Sequence, residues 1–257
     1  MTFCIGINTR QGLVALADTR IVKGEEHLTK SKLSFSANGD DQWWLVTSGL
    51  RSIRDKAVVY FERDLSARTE SYSQLFELAN SFGQQLRCVR SEDGPSLASS
   101  NFSFNLHAII GGKLSKDATP KMFYVYPEGN WIESSEDSPY FLIGRTHYAK
   151  PILDRLLRYD TDLRQAAALA FLAFDATQAS VTDVGFPIDM ILSELNSKRA
   201  IYHRYHESDL ARVASWWQQT LSEALRQFPV DCFDPLFNGS STHSAGMIPK
   251  VCAGDVR

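Results

Sequence analysis

Apolar and polar positions alternate with a period of two at the start of the chain. Phe3, Ile5 and Ile7 fall on one side, which predicts a strand. Gln11-Gly12 turns the chain, and residues 13–18 (LVALAD) are apolar at nearly every position, the pattern of a strand buried on both faces. Residues 32–37 (KLSFSA) alternate again. Asn38-Gly39-Asp40-Asp41 is a strong turn signal, and residues 42–48 (QWWLVTS) predict a fourth strand. The period then lengthens. Ile53, Ala57, Phe61 and Leu65 recur at helical spacing. A second helix is predicted over 73–90, with Ser73 as N-cap, Leu75, Leu78, Ala79, Phe82 and Leu86 on one stripe, and SEDGPSLASS as the loop that ends it.

Strand patterns return over 102–112, 121–129, near Trp131-Ile132 and over 140–144. Two helices follow, 147–159 and 162–177; Pro151 is compatible only with the first turn of the former. Residues 187–194 (PIDMILSE) and 199–205 (RAIYHRY) predict two more strands. A last helix capped by Ser208 carries Leu210, Val213, Ala214, Trp217, Leu221 and Leu225 on its apolar face. Residues 228–257 carry Pro, Gly and Ser and no period, and are expected to be an irregular tail. Strands arrive in blocks and helices in pairs, with no repeat and no linker. One domain over 1–257 is expected, of the α+β class: a four-layer αββα sandwich of two antiparallel sheets flanked by helix pairs.

Composition narrows the function classes. The chain has 257 residues, 44% hydrophobic and 22% charged, with a net charge of −3, enough for one sizeable core and without a basic footprint for nucleic acid or an anionic membrane. The start lacks the basic and apolar regions of a signal peptide. The longest apolar run, residues 166–174, is far short of the roughly 20 that span a bilayer. A cytoplasmic protein is expected. Cys4, Cys88, Cys232 and Cys252 form no C-x-x-C pair and read as free thiols. His203 and His206 lie three apart in a strand-like stretch, where they face opposite ways, so a metal site is not expected. GGKLSK at 111–116 lacks the phosphate-loop pattern. Neither metal nor cofactor is anticipated. The tryptophan pairs 43–44 and 216–217 suit core and subunit contacts better than base stacking.

The candidate chemistry sits at the start. If Met1 is removed, Thr2 carries both a hydroxyl and an α-amine whose pKa of about 7.7–8.0 leaves part of it neutral at physiological pH. A neutral amine can serve as general base for its own hydroxyl. Such a site needs an ammonium to favour the neutral amine and the alkoxide, a carboxylate to hold that ammonium, and N–H groups for an oxyanion. Asp18 ends the second strand and Lys32 begins the third, so a cross-strand pair beside Thr2 is expected. Ser48-Gly49, where a strand meets a helix, is the candidate oxyanion hole. Taken singly, each of these residues has an ordinary structural reading; an Asp–Lys pair is more often only an ion pair.

In combination, TFCIGINTRQGLVALADTR, KSKLSF and LVTSG resemble the proteasome β-type peptidases of the N-terminal-nucleophile hydrolase superfamily. SPYFLIGRTHYAKPILDRLL and TDVGFPIDMI look like the bacterial branch called Anbu, and the resemblance spans roughly 2–227. It implies an exposed threonine nucleophile (Thr2), an aspartate in a D-x-R pattern (Asp18, with Arg20 in support), a lysine heading the third strand (Lys32, with Lys30 a rival), and an oxyanion hole at Gly49. The family's aspartate and serine near the amine align with Ser180 and Asp183, a departure from the usual pattern. Gly144-Arg145-Thr146 stands where the family has a small serine. The resemblance further implies a ring or spiral of identical subunits acting on peptides or other amides. The alternatives are a scaffold subunit with weak or no peptidase activity, and a hydrolase of non-peptide amides.

Overall fold

The structure, a computed structural model, describes residues 2–24, 26–38, 41–195, 197 and 199–237. Strands β1 (Phe3–Thr9) and β2 (Gly12–Asp18) form a hairpin, followed by a small two-stranded hairpin, β3 (Arg20–Lys23) and β4 (Glu26–Thr29). β5 (Leu33–Asn38) and β6 (Asp41–Gly49) come next, then helices α1 (Arg51–Ala67) and α2 (Leu75–Ser99). β7 (Leu106–Lys113), β8 (Lys121–Val125), β9 (Trp131–Glu133) and β10 (Tyr140–Gly144) precede α3 (Lys150–Leu156) and α4 (Leu163–Gln178). The last elements are β11 (Ile188–Glu194), β12 (Ile201–Tyr205) and α5 (Glu207–Arg226). Contacts divide the chain into two compact units, Met1–Ala211 and Arg212–Arg257.

The first unit holds two five-stranded antiparallel sheets, ordered β10-β1-β2-β11-β12 and β5-β6-β7-β8-β9. The sheets face each other, α4 lies on β1 and β2, and α1 and α2 lie on the outer face of the other sheet. This is the expected four-layer αββα sandwich. Strand parity builds it. Cys4, Leu13, Ala15 and Ala17 point from the first sheet into the space between sheets, where they meet Trp44, Val46 and Ile109 of the second. On the opposite face of β1, Phe3 meets Phe174 of α4, with ring centroids 6.2 Å apart. Leu45, Ile110 and Phe123 point outward into a second core shared with Phe61, Leu78, Phe82 and Leu86 of α1 and α2. β2 is buried at all seven positions because it is the central strand, sandwiched between helices and the other sheet.

Several boundaries differ from the sequence reading. The segment expected to be a loop after residue 90 is helical through Ser99, with Pro95 inside α2. Lys56 of α1 bridges Glu92 and Asp93, each at 2.7 Å, and Leu97 packs on the outer core; these ties offset the hydrogen bond Pro95 removes. The N-cap is Gln74 rather than Ser73, because Glu77 reaches back to the Gln74 N–H at 2.9 Å. α5 begins at Glu207, with Asp209 accepting from the His206 N–H at 2.7 Å, so Ser208 is not its cap. The hairpin β3–β4 has too many charges and too few residues to show a period. α3 is shorter than expected, starting where Pro151 fits its first turn.

Taken by itself, the second unit comprises α5 from Arg212 onward, a 3-10 turn (Val230–Phe233) and a helical turn (Asp234–Phe237). Part of the expected irregular tail is therefore turned, and 238–257, with Cys252, lie outside the described residues. Among the described residues Trp216 is exposed and Trp217 half-buried, whereas Trp44 is fully buried.

Candidate active site

Register brings both sheets to an end at one place. Phe3 pairs with Gly144 of β10, Cys4 with Ala17 of β2, and Asp18 with Ile188 of β11. The first strand thus starts beside the ends of its neighbours, and Thr2 lies among them, 7% exposed. In the facing sheet the Thr47 N–H bonds the Lys32 carbonyl at 3.2 Å, and Gly49 pairs with Leu106. Between these ends lies a cavity of about 590 Å3, lined among others by Thr2, Lys32, Thr47, Ser48, Gly49 and Gly144.

Asp18 and Lys32 meet at the cavity's edge. The Lys32 ammonium donates to Asp18 Oδ1 at 2.6 Å and to the Arg20 carbonyl at 2.8 Å, and the Phe3 N–H donates to the same Asp18 oxygen at 2.8 Å. The side chains are 4% and 0% exposed, so the pair is desolvated. Burial pushes the Asp18 carboxyl above its ordinary range, and the Lys32 ammonium and the Phe3 N–H oppose that rise. The carboxylate therefore ties the residue after Thr2 to the ammonium of Lys32. One sequence expectation is corrected here. Lys32 leads into β5, in the other sheet from β2, so the pair clamps the two sheets together and is not a cross-strand neighbour pair.

Lys32 is itself held from behind. Ser31 Oγ donates to Asp189 Oδ2 at 2.6 Å, and Asp189, fully buried in β11, also receives Arg204 at 2.7 and 3.0 Å and the Tyr202 hydroxyl at 2.8 Å. Asp189 was not singled out from sequence, although a lone carboxylate inside the apolar run PIDMIL was its signal. Lys30, the rival, points elsewhere: its ammonium bonds Asp55 at 2.9 Å and is 42% exposed.

Two glycines shape the rim. Gly49 has φ of 153°, and a Cβ there would meet the Asn105 carbonyl at 2.1 Å. Gly144 has φ of 92°, and a Cβ would stand 1.9 Å from the Thr2 carbonyl oxygen. That carbonyl accepts from the Arg145 N–H at 2.8 Å, so the corner after β10 fixes the Thr2 backbone. Ser48 and Gly49 lie where β6 hands over to α1, whose Leu50 cap makes no side-chain hydrogen bond.

The remaining candidates divide. Arg20 bonds the Thr182 carbonyl at 3.1 Å, and its guanidinium lies where a Cβ on Gly185 would be; it braces the loop before β11. Asp183 pairs at 3.1 Å with the side chain of Arg145, the residue whose N–H holds the Thr2 carbonyl. Ser180 is exposed and its hydroxyl turns back onto the Ala176 carbonyl at 3.0 Å, away from the cavity. His107 and Tyr124, joined at 2.8 Å on the cavity wall, were not anticipated; burial lowers the imidazole's pKa, so it is neutral at physiological pH. No helix among the described residues is long and apolar enough to cross a membrane, and no cluster of three metal-ligating side chains occurs among them.

Comparisons with known proteins identify the family. Residues 2–192 match the proteasome subunit family. A mutant Anbu structure from Hyphomicrobium sp. strain MC1 is 30% identical, over 89% of this chain and 98% of that one, with a TM-score of 0.81. Anbu (ancestral beta-subunit) from Yersinia bercovieri is 27% identical, over 88% and 97%, at 0.82. The helical assembly of the Anbu complex from Pseudomonas aeruginosa is 25% identical, over 88% and 97%, also at 0.82. No curated protein matches. A family match through both sheets, joined to structural likeness over nearly the whole of each relative, establishes that the chain belongs to the proteasome subunit family, in its Anbu branch.

Proposed function

We propose that the chain is a threonine-type N-terminal-nucleophile hydrolase of peptides or related amides, built into an assembly of identical subunits. Removal of Met1 frees the Thr2 amine. The neutral amine takes the proton of the Thr2 hydroxyl as its oxygen attacks the carbonyl. The Gly49 N–H stabilises the oxyanion at the start of α1. The amine then gives its proton to the departing nitrogen as the C–N bond breaks, leaving an ester on Thr2. A water adds to that ester, giving up a proton to the amine, and Thr2 leaves with its hydroxyl restored. Lys32 disfavours a second positive charge on the amine, and Asp18 positions Lys32.

The observation that carries this reading is the desolvated chain Lys32–Asp18–Phe3 N–H beside Thr2 at the wall of an open cavity. The assembly is supported by the Pseudomonas aeruginosa relative, which is a helical assembly. A second reading, an assembly subunit with little hydrolysis, is favoured by Ser180, which turns away from the site. The test combines three measurements. Intact mass shows whether Met1 is lost. A threonine-directed electrophile labels Thr2. Turnover of a peptide library is compared between wild type and Thr2→Ala; equal turnover removes the catalytic role.

A further inference from the structure

The cavity beside Thr2 is one-sided in charge. Among its described lining residues Lys32, Arg51 and Arg54 are cationic, and none of those described is Asp or Glu. Lys32 is neutralised by Asp18. Arg51 and Arg54, in the first turn of α1, face one carboxylate, Asp55, which also takes Lys30: Arg54 at 2.8 Å, Lys30 at 2.9 Å, Arg51 at 3.4 Å. Among the described residues three cations thus share one anion, and these partners hold Asp55 below the usual carboxylate range against the effect of burial. Arg54 is only 11% exposed, so its surplus charge is poorly hydrated.

A second cavity of about 340 Å3 shares Lys32, Thr47 and Arg54 with the first, has Leu33, Leu45, Val58 and Val59 as apolar walls, and is also lined by Lys30 and by Asp55, the carboxylate that the three cations share. A carbonyl held at the Gly49 N–H would carry its side chain between Thr47 and the first turn of α1. There it would meet apolar walls and the cluster of Arg54, Arg51 and Lys30 around Asp55, whose charges leave a positive surplus. The uncapped start of α1 adds to the positive potential. His107, neutral at physiological pH, adds no charge of its own.

We propose that this pocket selects substrates whose attacked carbonyl belongs to an acidic residue, with Arg54 and Arg51 receiving the carboxylate. The inference rests on the hydrolase reading above and names its substrate class. A glutamate side chain offers charge-assisted hydrogen bonds to guanidinium; glutamine offers the same shape without the charge.

The test uses the protein beginning at Thr2 and fluorogenic peptides of one length that differ only in the residue before the reporter: Glu, Asp, Gln, Leu or Lys. Glu is expected to exceed Gln at least tenfold in kcat/KM, and the ratio to fall as salt rises from about 50 to about 500 mM. Arg54→Gln is expected to abolish the preference. Arg51→Gln, at a 53% exposed side chain, keeps the fold and lowers the ratio. Cleavage that needs Thr2 but treats Glu and Gln alike, or favours Leu or Lys, overturns the inference and leaves the hydrolase reading intact. Should no peptide be cleaved, or cleavage survive Thr2→Ala, the hydrolase reading fails. Binding of the Glu and Gln peptides to Thr2→Ala by calorimetry then decides the pocket by itself: tighter Glu binding supports it, and equal affinity overturns it.

Discussion

Lys32→Met isolates the feature on which the site depends. The substitution keeps the stem's volume and removes the ammonium, leaving Asp18 buried with backbone donors, the Phe3 N–H among them, and no cation. Both side chains are essentially inaccessible, so water cannot replace the lost partner. Breaking a buried pair in this way costs about 3–5 kcal/mol. At about 2–4 °C per kcal/mol for a domain of this size, the melting temperature should fall by roughly 6–20 °C. The pH dependence makes the argument specific. Burial already raises the folded-state pKa of Asp18 above its unfolded value of about 3.9, and removing Lys32, the largest opposing influence, raises it further. A raised folded pKa contributes stability that is present below the unfolded pKa and lost as pH rises through the folded one. The variant should therefore regain stability relative to wild type as pH falls from 8 towards 5. Asp18→Asn in the same background should restore part of the loss at pH 8. The assay is thermal unfolding by circular dichroism at one protein concentration, since assembly adds to stability. A loss under about 1 kcal/mol, with no change in pH profile, would refute a desolvated Asp18–Lys32 pair.

Gly144→Ala places a Cβ 1.9 Å from the Thr2 carbonyl at a backbone angle alanine avoids; a loss of at least about 2 kcal/mol and weaker electrophile labelling of Thr2 are expected in unfolding and mass-shift assays. Asp189 is held below the ordinary carboxylate range by Arg204, Ser31 and Tyr202. Its contribution is present above about pH 4 and lost as pH falls through the lower folded value, so Asp189→Asn should flatten the wild-type decline in stability on acidification, measured by unfolding at pH 6 and below. Trp44, fully buried between the sheets with its ring filling the space above Gly111, should cost about 3–5 kcal/mol on replacement by alanine, seen in a denaturant midpoint.

Periodicity made most of the scaffold legible. The two-residue period of β1, the unbroken apolar run of β2 and the helical stripes of α1, α2 and α4 record which face each element buries, and burial is what holds the sandwich together. Thr2, Asp18 and Lys32 drew notice as polar residues closing or opening apolar strands, and Gly49 as the step from a strand to a helix; the structure brings Thr2, Lys32 and Gly49 to one cavity with Asp18 bonded to Lys32, and their catalytic roles are the proposal made above. Sequence alone could not say that β2 and β5 lie in different sheets, because pairing depends on which edges meet after the chain folds. Only the tertiary structure therefore decided that Asp18 and Lys32 clamp two sheets. It also decided that Asp189 braces Lys32 through Ser31, that Ser180 turns away, and that α2 runs past Pro95. Each of these is set by contacts between residues far apart in the chain, and the energy of such contacts leaves no period in either segment taken singly.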